Sequence, residues 1–133
     1  MIAVDTSVII DFLFDGPSAE HSELALRDAA ERGRLAISDV VLAEVCARGE
    51  STALRQALAS LGFQFVPTNE TAAARAGEMF ERYRRRGGVR GRILAEFLIG
   101  AHALIQCEGL ITFDAGFHRD YFKGLRLIVP GQA

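Results

Sequence analysis

Long hydrophobic runs are missing from this chain. No apolar stretch approaches the roughly 18 residues needed to span a bilayer, and no basic region precedes an uninterrupted apolar segment at the N-terminus. A membrane partner is not expected, and the reading is a cytoplasmic protein. Cysteine is scarce: Cys46 and Cys107 are the only two. Both lie in apolar, helical-looking surroundings without CxxC spacing, which argues against a disulfide framework or a cysteine zinc site and for buried free thiols. Lysine is almost absent, since Lys123 is the sole lysine among 15 basic residues. The formal net charge of −2 argues against coating nucleic acid by bulk charge. No repeats, low-complexity tract or second domain are visible.

What is present is half hydrophobic over 133 residues, enough to bury the core of one domain, 1–133. The run Met1 to Val4 reads as a buried strand ending on Asp5. A short helix is expected from Ser7 to Phe14, stopped by Asp15-Gly16-Pro17, and a second from a Ser18 cap to about Arg32. Leu35 to Ile37 is a second strand, and Ser38 and Asp39 offer capping oxygens for a helix carrying Glu44. A helix over 51–61, a strand over 63–66 ended by Pro67, and a long helix from about Glu70 to Arg86 follow, capped by Asn69 or Thr71. Gly87 to Gly91 reads as a mobile connection. Ile93 to Cys107 is apolar almost all round and should lie deep in the domain. A strand over 109–112, a short helix over 115–122 and a strand over 126–129 complete the chain. Strands alternating with helices imply an α/β fold: a single-domain α/β/α sandwich around a central parallel sheet of about five strands.

In that arrangement Asp5 and Asp114 follow strands at the carboxyl edge of the sheet, where such folds place their sites. Glu44 projects toward the same edge, and Glu96, early in the apolar helix, could reach it. Converging carboxylates repel one another in a cleft unless protonated or neutralised by a cation. Oxygen ligands without a histidine–cysteine cluster suit a hard divalent ion, magnesium or manganese, rather than zinc. Such an ion activates water and stabilises charge on a phosphodiester, which is nuclease chemistry. Thr6, Ser7, Ser38 and Thr112 would orient carboxylates or water around the site. The cluster Arg82, Arg84, Arg85, Arg86, Arg90 and Arg92 could bind phosphates, with Arg84, Arg85, Arg86, Arg90 and Arg92 as the RNA-contacting set, or could be a helix end whose cations suit the dipole.

The segments Ile2 to Ser7, Ile37 to Val45, Phe97 to Ala103 and Leu110 to Phe117, with Tyr121 and Phe122, carry a resemblance. In this order and spacing the chain resembles PIN-domain ribonucleases, specifically VapC toxins of type II toxin–antitoxin systems, over essentially its whole length. The resemblance implies metal-dependent endonucleolytic cleavage of RNA, with tRNA and rRNA among the candidate substrates. It also implies a homodimer and inhibition by a small VapB-like antitoxin. Asp5, Glu44 and Asp114 fall on the family's acids, and Glu96 stands where that family usually has aspartate, after Ala95 where proline is common. Magnesium geometry is demanding, so the added methylene makes a weakened PIN-like binding module the second reading. A third is a metal-dependent phosphatase or receiver-like domain. It lacks support, because Thr6 and Ser7 after Asp5 give no DxD nucleophile signature and no late-strand lysine is present.

The bland readings are local. Asp5 could cap the following helix, Glu44 could pair with Arg48 one turn on, Glu96 could serve the helix dipole, and Asp114 could start a turn. His102, on an apolar helix, reads as a packed residue rather than a ligand.

Overall fold

Strand β1 (Ile2–Val4) occupies the middle of a five-stranded sheet in the order β3-β2-β1-β4-β5, formed with β2 (Leu35–Ile37), β3 (Phe63–Phe65), β4 (Gly109–Ile111) and β5 (Leu127–Ile128). Every pairing is parallel. Every residue of β1, β2 and β4 is buried. Such uninterrupted burial belongs to parallel strands covered on both faces, and each fully buried Val, Leu or Ile contributes about 1.5–3 kcal/mol. The computed structural model describes residues 1–88 and 93–132, so the connection expected over 87–91 falls largely outside the described residues.

The helices are α1 (Thr6–Leu13), α2 (Ala19–Arg32), α3 (Asp39–Cys46), α4 (Ser51–Ser60), α5 (Glu70–Arg85), α6 (Leu94–Gln106) and α7 (Ala115–Tyr121). The expected elements are all found, with ends shifted by a residue or two. Sequence patterning reads element ends poorly, because fraying and capping are decided locally. Asp5 caps α1, and Asn69 caps α5 through Ala72 N–H at 2.9 Å. Ser18 stands at the α2 start without a side-chain capping bond. Asp11 organises that turn instead, accepting from Ser18 N–H at 3.1 Å and from the Ser22 hydroxyl at 2.7 Å.

Chain order and strand order diverge at β1. The chain moves from β1 outward through β2 to β3, then returns through α6 to β4 on the other side of β1. Between the carboxyl ends of β1 and β4 the connections leave in opposite directions, which opens a crevice at this switch point. The register aligns Val4 with Ile111, and Asp5 N–H donates to Ile111 C=O at 2.9 Å. The residues following the two strands therefore enter the crevice side by side.

α6 is bound along its length. His102, 1% exposed, sits with Nε2 2.8 Å from Val66 C=O, which makes that nitrogen the donor. Burial pushes the His102 pKa down, so the neutral ring is favoured. The sequence reading of His102 as a packed residue holds. α5 and α6 run antiparallel: Asn69 N–H meets Gln106 Oε1 at one end, and Tyr83 packs on Phe97 at 5.6 Å at the other. Phe97 is the hub of a ring cluster, with Phe80, Phe117 and Tyr121 at centroid distances of 5.4, 5.0 and 5.3 Å. Such edge-on pairs each add about 0.5–1.5 kcal/mol beyond burial. The residue before this hub is Glu96.

The cysteines are free, as expected, but half-buried rather than buried. The edge strands are short, and each is followed within two residues by a proline, Pro67 after β3 and Pro130 after β5.

Candidate active site

Asp5 ends β1 in an extended conformation and begins α1, and its carboxylate is fixed by donors from two elements. Thr6 N–H donates to Oδ1 at 2.8 Å and the Thr112 hydroxyl donates to Oδ2 at 2.8 Å. The same Thr112 oxygen accepts from Asp114 N–H at 3.0 Å, which ties the turn after β4 to the end of β1. Thr112 is fully buried, so this geometry is rigid. Across the crevice the Thr6 hydroxyl donates to Glu44 Oε1 at 2.5 Å, joining α1 to α3. The hydroxyls of Thr6 and Thr112, expected to lie around the acids, are hydrogen-bonded to the Glu44 and Asp5 carboxylates.

Asp5, Glu44, Glu96 and Asp114 line one cavity of about 430 Å³, together with Thr6, Ser7, Arg48 and His118. The four acids are half-buried. Glu96 turns back on its own helix and accepts from Ile93 N–H at 2.9 Å, so the capping role and the place in the cavity coexist. Among the described residues, no three His, Cys, Asp or Glu side chains are close enough together to hold a metal ion. The donor set is all oxygen and suits a hard cation. The arrangement is one in which hydrogen bonds from Thr6, Thr112 and Ile93 hold the carboxylates of Asp5, Glu44 and Glu96.

The remaining expected residues divide. Ser38 is 3% exposed, does not line the cavity and caps α3 through Val41 N–H at 3.2 Å. Its hydroxyl serves the helix start that carries Glu44. Arg84 and Arg85 share Glu81, at 3.3 and 2.7 Å, and these bonds hold the Glu81 carboxyl below its usual range. Arg84 also stacks over Phe80 at 5.4 Å, and Arg86 over Tyr121 at 5.6 Å. All three are exposed at the end of α5, where Tyr83 packs on Phe97 of α6, and none of them lines the acid cavity. Arg90 and Arg92 lie outside the described residues.

Two ionisable cavity residues, Arg48 and His118, were missed by reasoning from sequence. Arg48 entered only as a partner for Glu44, yet among the described residues Glu44 is bonded to the Thr6 hydroxyl and forms no ion pair with Arg48. The glutamate is engaged by Thr6, and the exposed guanidinium faces the cavity. His118 follows Asp114 by one helical turn, a spacing that returns it to the same face, so its signal was available.

A larger cavity of about 680 Å³ opens at the amino ends of the strands, between α2 and the C-terminal residues. Its lining mixes Asp28, Arg32, Glu108 and Arg126 with apolar groups, and Glu108 is already paired with the Met1 ammonium at 2.8 Å. The smaller cavity is the one lined by four acids.

Residues 2–123 match the PIN domain. The chain belongs to the PIN-domain family. This PIN domain is 37% identical over 139 aligned residues to ribonuclease VapC10 of Mycobacterium tuberculosis, covering 98% of this chain and 96% of that protein. In fold it is similar to VapBC2 from Rickettsia felis bound to a DNA fragment from its promoter, with a TM-score of 0.73 at 20% identity over 97% of this chain and 98% of that one. It is also similar to FitAcB from Neisseria gonorrhoeae, with a TM-score of 0.71 at 23% identity and full coverage of both chains. At these identities the solved structures establish the fold alone, and it is the α/β sandwich expected from the sequence. Among the described residues, no helix of this PIN domain is long and apolar enough to cross a membrane.

Proposed function

We propose that this PIN domain is a metal-dependent endoribonuclease, the toxin of a type II toxin–antitoxin pair, acting in the cytoplasm on RNA phosphodiester bonds. The observation that carries the reading is the set Asp5, Glu44, Glu96 and Asp114 around one cavity at the switch point of the sheet. Relatedness to a ribonuclease over nearly the whole chain supports it. Those four acids are the groups that would hold magnesium or manganese. A hard ion there, when bound, supplies Lewis acidity to water and to the phosphodiester. The chain's own part is positional. Thr112 and Thr6 fix the Asp5 and Glu44 carboxylates, and Arg84, Arg85 and Arg86 meet flanking phosphates from the end of α5.

The partner is a VapB-like antitoxin, and the working form is a homodimer. Exposed Ile93 and Leu94 at the start of α6 and exposed Phe113 beside Asp114 supply apolar surface next to the acids for such a partner. The bond from Ile93 N–H to Glu96 favours one second reading, a weakened nuclease that binds RNA or antitoxin without efficient cutting.

The deciding experiment is digestion of labelled RNA with chelator, then with magnesium or manganese restored. Cleavage is expected to vanish in chelator and return with either ion; full activity in chelator would sink the metal mechanism. In the same assay cleavage should weaken with rising salt. Alanine at Arg84, Arg85 and Arg86 should flatten that dependence, since each lost phosphate contact removes about one unit of salt slope. An unchanged slope would return the three arginines to the helix-end reading.

A further inference from the structure

Resting on the metal-site reading above, we propose that His118 is a positioning residue for Asp5: its Nε2–H completes the hydrogen bonding of the Asp5 carboxylate when the acids close around a cation. His118 is 2% exposed on α7 and lines the acid cavity. Its Nε2 stands 3.7 Å from Asp5 Oδ2, beyond the roughly 3 Å of a hydrogen bond. With Asp5 held by Thr6 and Thr112, it is the His118 ring that would have to shift to close that gap. Its other nitrogen, Nδ1, is buried with no hydrogen-bond partner among the described residues.

The two nitrogens assign the tautomer. A bare Nε2 would set its lone pair against a carboxylate oxygen, and a protonated Nδ1 would bury a donor with nothing to accept it. Nε2–H facing Asp5 and bare Nδ1 facing α6 avoids both. Gly100 on α6 makes room chiefly for Phe122 and also for this ring. A Cβ at Gly100 would lie 2.9 Å from His118 Nδ1 and would collide with Phe122, so α6 carries a glycine where α7 crosses it. An unpaired buried polar group is destabilising, and a leucine of similar bulk would not carry that penalty. A ring kept under those terms, pointed at a carboxylate already held by Thr6 and Thr112, matches the outer partners that orient metal-binding carboxylates.

The test is a manganese titration followed by thermal unfolding, on wild type, His118→Leu and His118→Gln, with the metal-free melting temperature read alongside. Gln carries an amide N–H near the position of Nε2. His118→Leu should bind manganese about 10–100-fold more weakly while its metal-free melting temperature stays level or rises, because the orphan Nδ1 is gone. His118→Gln should recover most of the affinity. His118→Met carries the same comparison should the leucine protein fail to fold. If the apolar variants bind manganese as tightly as wild type, or if glutamine rescues nothing, His118 is a packing residue and the proposal is overturned. If wild type itself neither binds manganese nor cuts RNA, the metal-site reading has failed and the inference falls with it.

Discussion

Asp5→Asn is expected to abolish RNA cleavage while leaving a folded protein whose metal-free melting temperature is unchanged or higher. Asparagine caps a helix about as well as aspartate, so the bond from Thr6 N–H survives the change. The Thr112 hydroxyl can rotate and accept from the new amide. What is lost is one negative charge from a half-buried set of four acids, and that removes repulsion in the metal-free state. The catalytic loss should exceed the roughly 100-fold that follows from removing even an outer partner of a metal ligand. Rate and melting temperature should be measured on the same preparation. A variant that cuts normally would leave Asp5 as a cap and nothing more.

Glu96→Gln should cost cleavage as severely, and here the structure sharpens the test. Glutamine still accepts from Ile93 N–H, so the start of α6 is preserved and any loss belongs to the charge at the cavity. The companion variant, Glu96→Asp with Ala95→Pro, should preserve or raise activity. Ala95 is the second residue of α6, where a helix N–H has no partner within the helix, so proline is tolerated there. A magnesium titration of cleavage rate across the three proteins separates the readings. Equal rates throughout would remove Glu96 from the site. A poor starting enzyme that Glu96→Gln barely changes would favour the weakened nuclease.

Asp5 and Asp114 were legible because a single charge at the end of a buried strand has only the sheet edge to go to. Parallel topology then brings both to one crevice. Glu44 was legible on weaker grounds, as an acid flanked by apolar residues. Thr6 was named as an orienting hydroxyl, but its partner was not readable, since the bond to Glu44 depends on how α1 meets α3. Asp11 was missed altogether: its role is to hold the turn before α2, and only the folded path brings Ser18 and Ser22 to its carboxylate. Glu96 shows a different limit. Its capping bond and its place in the cavity follow from the same first-turn position, so the local reading and the functional one were never exclusive. Arg48 and His118 required knowing which way side chains point after a helix end and along a short helix, and sequence spacing supplies only half of that.

The clipped edges of the sheet bear on how this protein can associate. An incoming strand could pair with only three residues at β3 or two at β5 before meeting Pro67 or Pro130. The few hydrogen bonds so gained, at about 1 kcal/mol each, do not offset the roughly 1–2 kcal/mol per residue needed to order the added segment. Strand addition is therefore closed both to a binding partner and to the runaway stacking of copies that produces fibrils. A second chain is left with side-chain surface, such as exposed Ile93, Leu94 and Phe113, where shape and charge decide which one is accepted.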